Sequence, residues 1–126
     1  MKKIITTLNA PAPIGPYNQA VLANDTLYLS GQIGLNPLSM EMVEGGVKEE
    51  AEQVMKNLKA VLEAAEMTFN QVVKSSIFLS DMEDFGQVNE VYAAYFNNDS
   101  APARETIAVM TLPKYVKVEI SMIAVK

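Results

Sequence analysis

The hydrophobic positions of this chain follow two rhythms. From Val47 to Ala65 they recur at Val47, Ala51, Val54, Met55, Leu58, Val61, Leu62 and Ala65, three or four residues apart. That spacing lines one face of an α-helix, and Lys and Glu fill the other. Glu49 and Glu50 stand in the first turn, where the helix dipole favours negative charge. A second helix is predicted over "DMEDFGQVNEVYAAYFNN", with Phe85, Val88, Tyr92, Tyr95 and Phe96 on one face. Gly86 lies near its start, where glycine is less disruptive than in mid-helix. Elsewhere the apolar residues form short runs of β type: "KKIITT", "NQAVLA", "TLYLSGQI" and "QVVKSSIFLS". Asn24-Asp25 predicts a hairpin turn between the second and third runs. "LNAPAPIGPY" holds three prolines and a glycine and predicts a conformationally restricted loop. "LNPLSMEMVEGG" predicts another loop, ending in two glycines. "SAPARETIAVMTLPKYVKVEIS", from Ser100 to Ser121, reads as strand, turn and strand.

The predicted order is β-β-β-α-β-α-β-β. Two amphipathic helices and several strands imply an α+β fold, an αβ sandwich with both helices on one face of a mixed sheet. The other face then needs a cover, which a second copy of the chain would supply. A length of 126 residues suits a single domain over 1–126 with one core. Hydrophobic residues make up 49% of the chain and mean hydropathy is +0.09. Both are slightly apolar for this size, which fits self-association as well as it fits a well-filled core.

Composition then removes whole classes of chemistry. The chain has no Cys, His or Trp. Disulfides, cysteine nucleophiles, Ser-His-Asp triads and histidine metal sites are therefore excluded. The net charge is −5 and the Lys and Arg residues are scattered, so no basic stripe offers a nucleic-acid footprint. The stretch "MKKIITTLNAPAP" has only a short apolar run, unlike a secretory leader. No segment approaches the ~20 apolar residues of a membrane span. A cytoplasmic protein that binds neither membrane nor nucleic acid is expected.

Arg104 and Glu119 are the unexpected charges in the last two apolar runs. They read either as a salt bridge or as parts of a small-carboxylate site. If Leu112 pairs with Val116 around the turn, paired residues sum to 228 and equal parity shares a face. Arg104 is even and Glu119 odd, so they fall on opposite faces and far apart. A single site then needs a bulge, a different pairing or a second subunit, and a subunit interface is the favoured reading.

Four patterns carry a family resemblance: "APAPIGPYNQAV", "LYLSGQIGLNP", "DFGQVNEVY" and "APARETIAVMTLPKYVKVEI". In this order, over nearly the whole chain, they resemble the RidA/YjgF family of small deaminases. The resemblance implies a homotrimer with clefts between subunits and no cofactor. It implies hydrolysis of 2-imino and 2-enamino acids such as 2-aminoacrylate, 2-iminopropanoate and 2-iminobutanoate, giving a 2-keto acid and ammonia. Those substrates would come from pyridoxal-phosphate-dependent dehydratases acting on serine or threonine.

The residues suit that chemistry. Arg104 has a planar fork that grips a carboxylate bidentately. Glu119, between Val118 and Ile120, is placed to position or deprotonate water if burial raises its pKa; the alternative is an ion pair with Lys117, Lys114 or Arg104. By the resemblance, Ser30 and Gly31 contact polar groups of the ligand; otherwise they mark a β-bulge. Tyr17 would cover the ligand or pack at a subunit edge. Asn89 would support Arg104 or face solvent. Thr106 shares the strand face of Arg104 and is expected to line the pocket, although many relatives carry Cys there. Glu105, where relatives carry a small residue, points to the other face and is expected to serve packing or the trimer. Glu66 replaces the glycine that often ends the first helix in relatives and affects only the cap. Two functions remain open: an enamine/imine deaminase using Arg104 and Glu119, or a non-catalytic trimer that binds small carboxylates as a regulatory or interaction protein. A ribonuclease is disfavoured by the acidic charge and the lack of His.

Overall fold

A computed structural model describes residues 1–126. Its elements are β1 (Lys2–Ile5), β2 (Ala20–Ala23), β3 (Thr26–Gln32), α1 (Val47–Ala64), β4 (Val72–Leu79), α2 (Phe85–Ala93), β5 (Ala103–Ala108) and β6 (Val118–Val125). The predicted order holds. Asn24 takes the left-handed conformation (φ 56°) that the turn between β2 and β3 requires. The second helix is shorter than its pattern suggested: Met82–Asp84 forms a 3₁₀ turn capped by Asp81, and α2 stops at Ala93.

The predicted final hairpin does not form. The six strands make one sheet in the order β1-β2-β3-β6-β4-β5. β6 lies between β3 and β4, antiparallel to both, while β5 pairs parallel to β4 at the edge. The two strands differ in side-chain character. β6 alternates Val118, Ile120, Met122 and Ala124 into the core, which suits a central strand, whereas most of β5 is exposed, as an edge tolerates. The turn also differs from a hairpin. Lys114 and Tyr115 both adopt φ 56°, and the connection lifts the chain past β4.

Both helices cover one face of the sheet. Val54, Met55, Leu58, Val61 and Leu62 of α1 and Val88 and Tyr92 of α2 pack on Leu27, Leu29, Ile77, Leu79 and Ile120. Burying each such aliphatic side chain is worth about 1.5–3 kcal/mol, so this layer holds the fold. Every predicted core position of α1 is buried, but so are two polar ones, Glu50 and Asn57. α1 ends in a Schellman motif, with Met67 N–H donating to Leu62 O and Glu66 N–H to Glu63 O, each at 2.9 Å. Glu66 therefore takes φ 59°, a conformation glycine adopts with less strain. The opposite sheet face carries exposed Ile4, Tyr28, Ile107 and Val125.

Candidate active site

Glu119 belongs to the uncovered face of the sheet, because its strand neighbours Val118 and Ile120 point to the helices. Beside it, the β3–β6 register shifts between Leu29 and Gln32, so the bulge is real and Gly31 sits in it. The Glu119 side chain lies against Gly31. A Cβ there would stand 2.9 Å from Glu119 Cδ and 3.1 Å from Cγ, closer than ordinary contact. The glycine is needed for space, since its φ is not positive. Glu119 lines a cavity with Ile14, Tyr17, Gly31, Leu35 and Lys114. No cation lies within ion-pair reach of it, since the chain's two ion pairs are Lys48–Glu90 and Lys74–Glu105. Burial without a compensating charge pushes the Glu119 carboxyl above the usual range.

Buried polar side chains pin the walls of this cavity. The proline-rich loop has no ladder partners, so its backbone groups need others. Gln19, 2% exposed, accepts from Thr7 N–H at 2.7 Å and donates to the carbonyls of Thr7, Ala10 and Pro11 at 3.0, 3.1 and 2.9 Å. Ser30 Oγ donates to Asn18 O at 2.6 Å, so the hydroxyl proton ties β3 to this loop. Asn57 donates to the carbonyls of Ile33 and Leu35 at 3.1 and 3.0 Å. Glu50 accepts from Lys117 N–H at 2.9 Å. Of these, Gln19, Asn57 and Glu50 were not singled out as site residues from the sequence. The available signal was a lone amide or acid on an otherwise apolar stripe, at Asn57 and Glu50 of α1.

Arg104 lies on the other face. It is in register with Ser75 of β4, whereas Glu119 is in register with Phe78. By strand geometry the two are roughly 10 Å apart along the sheet and ~10 Å across it, with the sheet between them. The expected separation on opposite faces therefore holds, although the hairpin pairing behind it does not. Arg104 Nη1 donates to Asn89 Oδ1 at 2.8 Å, so Asn89 supports the arginine. The guanidinium lies 5.0 Å from the Tyr92 ring centroid and 5.7 Å from that of Phe85. Phe85, Asn89 and Tyr92 follow i, i+4, i+7 spacing and form one stripe of α2. No carboxylate neutralises Arg104. The neighbouring Glu105 is turned to the opposite face, where it accepts from Ser76 Oγ and pairs with Lys74 at 2.9 Å. Those two contacts, Ser76 first, hold its carboxyl below the usual range.

Arg104 and Asn89 line a cleft with Tyr92, Phe96, Asn98 and Pro102. Thr106 shares the Arg104 face, but its hydroxyl is buried and has no hydrogen-bond partner. Within one chain, then, Tyr17, Gly31 and Glu119 meet at one cavity, and Asn89 and Arg104 at another.

The chain is similar to known proteins over nearly its whole length. The family model described as endoribonuclease L-PSP matches residues 7–126. The mouse protein named 2-iminobutanoate/2-iminopropanoate deaminase is 52% identical over 126 residues, covering 100% of this chain and 93% of the relative. The crystal structure of RidA from an Antarctic Psychrobacter is 44% identical, with a TM-score of 0.94 over 98% of this chain and 99% of that one. The crystal structure of E. coli TdcF with bound serine is 39% identical, with a TM-score of 0.92 over 98% of each chain.

Proposed function

Because the chain belongs to the endoribonuclease L-PSP (RidA/YjgF) family, we propose that it is a hydrolytic deaminase of small 2-imino and 2-enamino acids, acting as a single unit over residues 1–126. The observation that carries this reading is a pair of unneutralised charges. Arg104 is cradled by Asn89, Tyr92 and Phe85 with no acid to satisfy it. Glu119 is half-buried with no cation. An imino acid supplies the missing partner for the first and the target for the second.

In the reaction, Arg104 holds the substrate carboxylate through bidentate hydrogen bonds. Hydrogen bonds to charged groups contribute roughly 1.5–3 kcal/mol. Glu119 takes a proton from water as the water oxygen bonds to C2. The C=N electron pair moves to nitrogen, which takes a proton from solvent, giving a carbinolamine. Glu119 then returns its proton to that nitrogen, the C–N bond breaks, and loss of the hydroxyl proton leaves a 2-keto acid and ammonia. A carboxylate raised by burial is the stronger base for the first step. Tyr17 covers the substrate, and Ser30 and Gly31 border it.

The two clefts become one site in a homotrimer, where the uncovered sheet face of one subunit is covered by its neighbours and Arg104 of one chain meets Glu119 of another. The exposed Ile4, Tyr28, Ile107 and Val125 support that assembly. No helix is long and apolar enough to cross a membrane. We place the protein in the cytoplasm, with no nucleic-acid partner for a chain of net charge −5.

The test generates 2-aminoacrylate with a serine dehydratase and follows its decay. Wild type accelerates decay, Arg104→Ala raises KM, and Glu119→Gln abolishes turnover. Subunits that each lack one of the two residues regain activity when mixed, and sedimentation gives three chains per particle. The bound serine in the E. coli relative favours one other reading, a binder of small carboxylates without turnover. Wild type that binds 2-oxobutanoate without accelerating decay would establish that reading instead.

A further inference from the structure

We infer that Tyr92, tethered through its hydroxyl to Ser75, is a positioning residue that sets the orientation of the Arg104 guanidinium for a carboxylate ligand. The inference rests on the role proposed for Arg104 and adds two residues that act through it.

The geometry is a triangle between three elements. Ser75 of β4 and Arg104 of β5 are neighbours in parallel register. Tyr92 of α2 reaches both. Its hydroxyl donates to Ser75 Oγ at 2.9 Å, and its ring lies under the guanidinium at 5.0 Å. The ring also packs against Phe96, 4.6 Å between centroids. Phe96 in turn contacts Phe69 at 5.4 Å. The ring therefore has one orientation, fixed by a hydrogen bond at its tip and packing at its side.

The tether is out of place as a packing device. Ser75 is 0% exposed and Tyr92 5%, both within the layer between sheet and helices. Two hydroxyls buried there lose hydration, and their mutual hydrogen bond little more than restores it. Valine and phenylalanine would fill the same space without that loss. A local rule broken without gain in stability points to function. Here the gain is direction. An arginine on an exposed edge strand has many rotamers, and holding it still would otherwise fall on the ligand. Asn89 occupies one of its five N–H groups. The ring places its face against the cation, and Arg104 borders the cleft with Asn98 and Pro102, where its other N–H groups can meet a ligand. Burial raises the Tyr92 hydroxyl pKa against the opposing effects of Ser75 and Arg104, so it remains a donor near neutral pH.

The test measures kcat, KM and 2-oxobutanoate affinity for Tyr92→Phe, Ser75→Ala and the double variant, with thermal unfolding in parallel. A hydrogen bond contributes about 0.5–1.5 kcal/mol, so each single variant is expected to raise KM and the 2-oxobutanoate Kd by about 2- to 10-fold. kcat should stay within about twofold, because Arg104 binds substrate and transition state alike. The double variant should be no worse than either single, since both remove one tether. Tyr92→Leu, which also removes the ring, should weaken affinity further. Unchanged KM and Kd in both single variants overturn the inference, as does loss of kcat alone in step with loss of folded protein. Wild type that binds 2-oxobutanoate without turnover sinks the deaminase reading, and weaker binding by Tyr92→Phe then still supports the tether.

Discussion

Replacing Gly31 by alanine adds one methyl group against the Glu119 side chain. The new Cβ would stand 2.9 Å from Glu119 Cδ, and ordinary contact begins near 3.4 Å, so the carboxyl carbon must retreat by about 0.5 Å and its nearer oxygen by more. The backbone does not object, because φ at position 31 is not positive. Glycine to alanine at such a site stabilises by about 0.4–1 kcal/mol through the unfolded chain. Forcing Glu119 off its rotamer costs about 0.5–1.5 kcal/mol. The two nearly cancel, so Tm should move by no more than about 5 °C. Activity should not be spared. A misplacement of about 1 Å at a reacting group costs on the order of 100-fold, so kcat should fall by about that factor. Affinity for 2-oxobutanoate should fall far less than kcat, because the ligand carboxylate is held by Arg104, whose support by Asn89 the new methyl does not touch. Steady-state kinetics beside a thermal melt separates these effects. Wild-type kcat in Gly31→Ala would refute the claim that the seat of Glu119 sets its chemistry. A drop in Tm well beyond 5 °C would instead show that Gly31 serves the fold.

Other expectations follow from the same structure. Glu119 has a raised pKa, so kcat/KM should fall with acid at a higher pH than an ordinary glutamate would give; an acid limb at or below the usual glutamate range would count against it as base. The same shift means that ionising Glu119 weakens the fold, so Glu119→Gln should melt above wild type at neutral pH, with the advantage fading as pH falls through the raised folded-state pKa and gone once pH is below the ordinary glutamate range. Thr106→Val removes a buried hydroxyl without a partner and should stabilise by about 1 kcal/mol in thermal unfolding; destabilisation would reveal a partner for that oxygen. Glu66→Gly relieves a left-handed residue in the α1 cap and should raise stability by about 0.5–1 kcal/mol in urea titrations, and a loss would show that the Glu66 side chain holds the cap.

The elements were legible because their patterns are local. The α1 stripe, the β2–β3 turn at Asn24 and the alternation of β6 can each be read within a few residues. Pairing was not legible in the same way. β5 and β6 adjoin in sequence with Pro113 between them, which resembles a hairpin, yet β6 has the apolar alternation of a central strand and "ARETIA" the polarity of an edge. Weighing the two runs against each other would have placed β6 inside the sheet. Arg104 and Glu119 stood out because charge is rare in apolar strands. Gln19, Ser75 and Tyr92 did not, because their importance lies in contacts 8 or more residues away in sequence.

The position of β6 bears on how the protein is made. It is the last strand in chain order, yet it joins β1-β2-β3 to β4-β5. While a ribosome is still extending the chain, β3 and β4 each expose an unpaired edge, and the two halves have no sheet in common. The nascent chain therefore carries open strand edges until its final segment emerges. Stop codons just before Val118 should yield aggregates or degraded chains rather than a smaller folded protein.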